Sequence, residues 1–162
     1  MLEIHNFTQN QIDEKFFQKI AKVALKIAGI KEKLEISAAI VGDGRIRRLN
    51  KMYRGKNRVS DVLAFSNKSV LLYLAKAFPR LKKGEDPEFV EAPDGIKRLG
   101  EIIICYPRAK KQAKQIGHSL KKELTILLVH GILHLLDYDH ERGGLEAEKM
   151  KEMEEKILKQ IN

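Results

Sequence analysis

The sequence predicts an α/β (α+β) fold, a single small mixed sheet packed with about five helices. Two observations predict it. Apolar runs of strand length at 34–41, 62–65 and 101–104 alternate with longer segments whose apolar residues recur every three or four positions. The chain has 162 residues, 43% of them hydrophobic, which is enough to bury one sizeable core. Residues 1–162 are therefore expected to form one domain, with an insert at about 67–98.

Each element has its own signal. Asp13 to Ala28 places Phe16, Phe17, Ile20, Val23, Ala24 and Ile27 at helical spacing, and Gly29 supplies a stop. Leu34 to Val41 reads as a strand. Gly42-Asp43-Gly44 then turns into a short helix with Ile46, Leu49 and Tyr53 on one face and arginines on the other. Val62 to Phe65 and Glu101 to Ile104 are short apolar strands. Arg108 to Ile116 is a basic helix ended by Gly117. Leu120 to Leu136 is the most apolar helix, and after the Gly143-Gly144 break Leu145 to Ile161 forms a charged final helix. Asn67 to Arg98 reads as a surface excursion with a helix over Val70 to Phe78 and turns at Gly84-Glu85-Asp86-Pro87 and Ala92-Pro93-Asp94-Gly95. No chemistry attaches to it.

Composition excludes several classes. No stretch approaches the roughly 20 apolar residues of a membrane span. The opening Met1-Leu2-Glu3-Ile4-His5-Asn6 has neither the signal-peptide nor the transit-peptide pattern, so the expected compartment is the cytoplasm. Cys105 is the sole cysteine and sits in an apolar run, so it reads as a small buried residue and no intrachain disulfide forms. The net charge is +9, a statement about partners rather than fold. From Gly44 to Ser60 there are seven basic residues and no acidic one, and from Pro107 to Lys122 there are six, again with none acidic. Two such blocks suggest a polyanion-binding face, against the plainer reading of solvated helix surfaces.

The chemistry concentrates at His130, His134 and His140. The first two are four apart, on one helix face about 40° from each other. The third follows a polar Asp137-Tyr138-Asp139 break where the chain can turn back. A lone histidine in a helix is usually an ordinary surface or core residue. Here the pair is set among Leu127, Leu128, Val129, Ile132, Leu133, Leu135 and Leu136, where imidazoles carry a desolvation cost unless something binds them. Three imidazoles make a metal site with an open position, the layout of a catalytic zinc.

Such a site can act on a peptide or a phosphodiester. The zinc-peptidase pattern His-Glu-x-x-His needs its glutamate as base, and Gly131 stands there instead. Glycine takes no proton; its plainer role is close helix packing. A phosphodiester suits the positive charge, since arginine offers bidentate contact to phosphate oxygens.

The segment His130-Gly131-x-Leu133-His134-Leu135-x-x-Tyr138-Asp139-His140 resembles the signature of the YbeY family of rRNA maturation endoribonucleases. Leu49-Asn50-x-x-Tyr53-Arg54-Gly55-Lys56, Ser60-Asp61-Val62-Leu63-Ala64-Phe65, Leu99-Gly100-Glu101-Ile102 and Gly117-His118-Ser119 match as well, in family order. The resemblance implies an α/β fold, one Zn²⁺ per chain on the three histidines, and single-strand-specific RNA cleavage in small-subunit rRNA 3′ end processing and ribosome quality control. It implies the small ribosomal subunit and assembly factors as partners, and no membrane. The family's functional arginine matches Arg54. Asp137 stands where the family usually has Gly, Ser60 and Ala64 where it has Thr and Ser, Ser66 where Pro is common, and Glu101 where Asp is common.

The resulting expectations are specific. His130, His134 and His140 are the metal ligands. Arg54 stabilises developing negative charge. Arg54, Lys56, Arg58, Ser60 and Asp61 contact substrate. His118 orients substrate or assists proton transfer, against a plainer capping or core-edge role. Asp61 anchors local backbone in preference to serving as base. No protein base is evident, which leaves a water or the RNA's own 2′-hydroxyl as nucleophile. The rivals are a zinc-dependent metalloprotease-like hydrolase and a non-catalytic ribosome-assembly module in which metal holds the fold.

Overall fold

The computed structural model describes residues 1–30, 34–67 and 97–161. The expected helix over Val70 to Phe78 and the turns after it lie outside the described residues. In chain order the elements are β1 (Leu2–Asn6), α1 (Glu14–Ile27), β2 (Leu34–Val41), α2 (Asp43–Arg54), β3 (Val62–Ser66), β4 (Lys97–Cys105), α3 (Tyr106–Ile116), α4 (Leu120–Leu135) and α5 (Gly144–Ile161). A short 3₁₀ turn at His140–Arg142 joins the last two helices. The fold is the expected α/β class.

The four strands form one mixed sheet in the order β1-β2-β4-β3. β1 and β4 run parallel to β2, and β3 runs antiparallel to β4. β1 adds to the three expected strands. Its alternation, Leu2 and Ile4 against Glu3 and His5, is half a strand pattern too short to stand out, and pairing with β2 completes it.

The alternation along β2 and β4 sorts their side chains between two faces. Ile36, Ala38, Ile40, Ile102 and Ile104 join α1, α4 and α5 in the larger core. Val41, Ile103 and Cys105 join Leu63 and Ile46 of α2 in a smaller one. β4 is covered on both sides, which is why its centre reads as an unbroken apolar run.

Local signals set the helix ends. Asp13 accepts from the Phe16 N–H at 3.1 Å to cap α1, and Ser119 accepts from the Lys122 N–H at 3.1 Å to cap α4. α4 is apolar on almost all sides because it is almost wholly buried. It packs closely on the sheet at Gly131, where a Cβ would lie 2.7 Å from Ile102 Cγ2. The glycine is the contact point of helix and strand, as its packing role anticipates.

Among the described residues no helix is long and apolar enough to cross a membrane.

Candidate metal centre and its cleft

Glu123, Ile126, Leu127, His130 and His134 fall three or four residues apart along α4, and together they line one wall of a cleft of about 770 Å³. The opposing wall comes from the end of α2, the loop after it, and β3. The loop after α4 closes the end and carries His140.

That loop turns by a defined mechanism. The Tyr138 N–H donates to Leu133 O at 3.0 Å and the Asp137 N–H to His134 O at 3.1 Å. This pair of bonds is a Schellman end, which requires a left-handed residue after the cap. Asp137 fills it with φ +69°, the one described non-glycine residue at positive φ. A left-handed position after a helix cap is one that glycine usually takes. Asp139 then accepts from the Glu141 N–H at 2.8 Å, starting the 3₁₀ turn that holds His140.

The three histidines converge. One ligand-type nitrogen from each lies within 4.8 Å of the others. His130 Nε2 and His134 Nε2 are 3.1 Å apart, and both rings have centroids 5.1 Å from that of His140. A tetrahedral zinc with Zn–N bonds of about 2.0–2.1 Å spaces its ligands by roughly 3.3 Å, so the closest pair already stands near that separation. His130 Nδ1 lies 3.6 Å from Glu154 Oε1 on α5. The carboxylate stands on the side of the far nitrogen and leaves Nε2 to face the other rings. Burial, followed by the neighbouring His130 and His140, holds the His134 pKa below its ordinary value, which favours the neutral imidazole that binds metal. The donor set fits a zinc-type ion with an open position.

Arg54, Lys56, Arg58, Ser60 and Asp61 all line the same cleft. Gly55 adopts φ +69° to end α2 and release the basic loop, and buried Asn50 donates to Arg58 O at 2.8 Å to brace it. Arg54 Nη2 lies 3.6 Å from Glu141 Oε1, beside the third histidine. Asp61 accepts from the Val62 N–H at 2.8 Å and from Gln112 Nε2 at 2.9 Å. Ser60 Oγ donates to Val62 O at 2.8 Å. Both side chains are tied into the wall.

His118 is placed differently from the others. Its Nε2 is 2.5 Å from Glu123 Oε2, and of that pair Glu123 lines the cleft while His118 is not among the described lining residues. Glu123 is 5% exposed, so the histidine supplies the partner its buried carboxylate needs.

Sequence reasoning passed over Glu123, Glu141 and Glu154. Glu123 carried a signal, an acid seven residues before His130 and thus on its helix face. Glu154 carried none, because only the docking of α5 brings it to His130.

Comparison with known proteins gives the family. The family model described as Endoribonuclease YbeY matches residues 3–162. The chain is 38% identical over 146 residues to Endoribonuclease YbeY of Chloroflexus aurantiacus, covering 90% of this chain and 85% of that protein. It is 39% identical over 145 residues to that of Aquifex aeolicus, covering 90% and 81%, and 42% identical over 124 residues to that of Leptospira interrogans, covering 76% and 84%. The fold resembles the solution structure of TM1509 from Thermotoga maritima, with TM-score 0.59 and 23% identity over 99% of this chain and 89% of that one. The chain belongs to the Endoribonuclease YbeY family.

Proposed function

We propose that this protein is an endoribonuclease that cleaves unpaired RNA at a zinc centre held by His130, His134 and His140, one ion per chain. The observation that carries the reading is one cleft in which three converging imidazoles face Arg54 and the basic residues that follow it. The names of its relatives support the reaction class. When bound, the metal supplies Lewis-acid polarisation of a phosphodiester oxygen and lowers the pKa of a water.

The chain's own residues supply the rest. Arg54 offers its guanidinium to the nonbridging oxygens as negative charge grows on them. It rests on Glu141 at 3.6 Å, so an incoming phosphate takes the carboxylate's place. Lys56 and Arg58 hold flanking phosphates. Ser60 and Asp61 hold the wall on which the substrate lies, Asp61 through its bonds to the Val62 amide and Gln112. His118 acts through Glu123, fixing a carboxylate at the cleft surface. A peptidase base is excluded from position 131, where any side chain meets Ile102.

The family resemblance and the two basic blocks direct the activity to rRNA, in small-subunit 3′ end maturation and ribosome quality control. The small ribosomal subunit and its assembly factors are then the partners, in the cytoplasm.

The test is cleavage of a single-stranded RNA by stringently purified Arg54→Ala protein. The expected loss is about 100-fold or more in turnover. Undiminished cleavage would remove the arginine from the reaction. Product ends name the nucleophile: a 2′,3′-cyclic phosphate identifies the RNA's own 2′-hydroxyl, and a free 3′-hydroxyl opposite a 5′-phosphate identifies water.

A further inference from the structure

Tyr53 is a large aromatic residue left 42% exposed beside a cleft. It occupies the last turn of α2, immediately before Arg54. Its ring sits on that of Phe65 from β3, with centroids 5.1 Å apart and planes at 55°. Phe65 is half-buried and packs on the smaller core, so it is anchored from below. The pair is thus a pre-ordered aromatic surface inside the cleft, and its neighbours along the chain are the cations Arg54, Lys56 and Arg58.

Covering Phe65 accounts for a hydrophobic side chain at position 53. It does not account for the company of three cations in a cleft shared with the metal centre. Stacking surface interleaved with positive charge is how proteins grip single-stranded nucleic acid: the cations follow the phosphates, and the rings take the faces of bases. A base in a duplex has both faces occupied by its neighbours and offers only its edges, whereas an unpaired base can be turned onto an aromatic ring.

We infer that Tyr53, supported by Phe65, is the stacking platform for one unpaired base of the substrate, and that this contact makes the cleft select single strands over duplex. The inference rests on the RNA reading above and adds to it the residue that sets strand selectivity. Tyr53 holds the base while Arg54, the next residue, meets a phosphate. One helix end therefore fixes both parts of a nucleotide.

The test measures binding of the metal-loaded full chain to a labelled ten-nucleotide unstructured RNA and to a duplex of the same sequence, by anisotropy read before turnover. Tyr53→Ala weakens single-strand binding by about 5- to 150-fold, the span that removal of one base–aromatic stack produces, and changes duplex binding by less than twofold. Tyr53→Phe restores the single-strand affinity. Tyr53→Leu keeps an apolar cover on Phe65 and binds as weakly as the alanine variant. An abasic nucleotide walked along the strand weakens wild-type binding at one position and leaves Tyr53→Ala unchanged there. In turnover the loss appears in KM and not in kcat. Equal affinity of wild-type and Tyr53→Ala protein for the single strand overturns the platform, as does an equal loss for strand and duplex, or wild-type affinity in Tyr53→Leu. Failure of the wild-type chain to bind the single strand at all is a separate result that overturns the RNA reading, and the platform with it.

Discussion

Gly131→Ala is expected to destabilise this protein, although the same change in an exposed helix stabilises by about 1 kcal/mol through helix propensity. The new Cβ would stand 2.7 Å from Ile102 Cγ2, with Cδ1 and Cγ1 at 3.1 and 3.2 Å. All three atoms belong to one branched side chain with 0% exposure at the centre of the sheet, so it has no open direction in which to move. Overpacking of this kind costs about 1–3 kcal/mol, and three contacts on a trapped neighbour argue for the upper half of that range. Setting the propensity gain against it leaves a net loss of about 1–2 kcal/mol, or roughly 2–8 °C in Tm for a chain of this size. The assay is urea unfolding of the chelated protein in a double-mutant cycle with Ile102→Ala. That variant alone costs about 2–5 kcal/mol, but it opens the space above Gly131. In its background Gly131→Ala should stabilise, giving a coupling of about 2–3 kcal/mol. Because residue 131 lies between His130 and His134, the single variant should also bind zinc more weakly. A rise in stability for Gly131→Ala alone, or the same effect in both backgrounds, would refute the reasoning.

Three further outcomes follow from other parts of the molecule. Asp137→Gly should keep the helix end in place and change stability by no more than about 1 kcal/mol, since glycine relieves the left-handed backbone but adds chain entropy of about 0.5–1 kcal/mol; thermal unfolding checks this, and a loss of several kcal/mol would contradict the Schellman assignment. The metal-free protein should lose stability as pH falls below about 6.5, because the unfolded chain takes up a proton there that the lowered pKa of His134 refuses; unfolding midpoints between pH 5.5 and 7.5 should slope upward, and His134→Ala should flatten them. The Cys105 thiol, pushed up to about 12 by burial and donating to Asp43 at 3.1 Å, should resist iodoacetamide at pH 8 until the protein is unfolded.

The sequence made some of this architecture legible and hid the rest for physical reasons. Periodicity located β2, β4 and the five helices because their faces are apolar at regular intervals. β1 is an edge strand of five residues whose stability comes from its partner, and such a segment carries little signal of its own. Spacing alone brought the three histidines to one place, since α4 and the turn after it are local structure. Glu154 reaches His130, and Phe65 the cleft, through tertiary packing of α5 and the edge strand, which no local pattern encodes. His118 pairs with Glu123, and of the two Glu123 is the residue that lines the cleft. Asp137 was visible only as an odd neighbour of the third histidine; the backbone shows it to be a helix terminus in a strained conformation.

The central claim is that three histidines hold one catalytic metal. It is tested most directly by measuring metal content and cleavage of a single-stranded RNA together, for wild-type, chelated and His134→Ala protein, with circular dichroism to confirm that each is folded. One zinc per chain in the wild type, and loss of both metal and cleavage in the two folded, treated proteins, is the predicted result. Full metal occupancy in His134→Ala, or undiminished cleavage by the chelated protein, would contradict it.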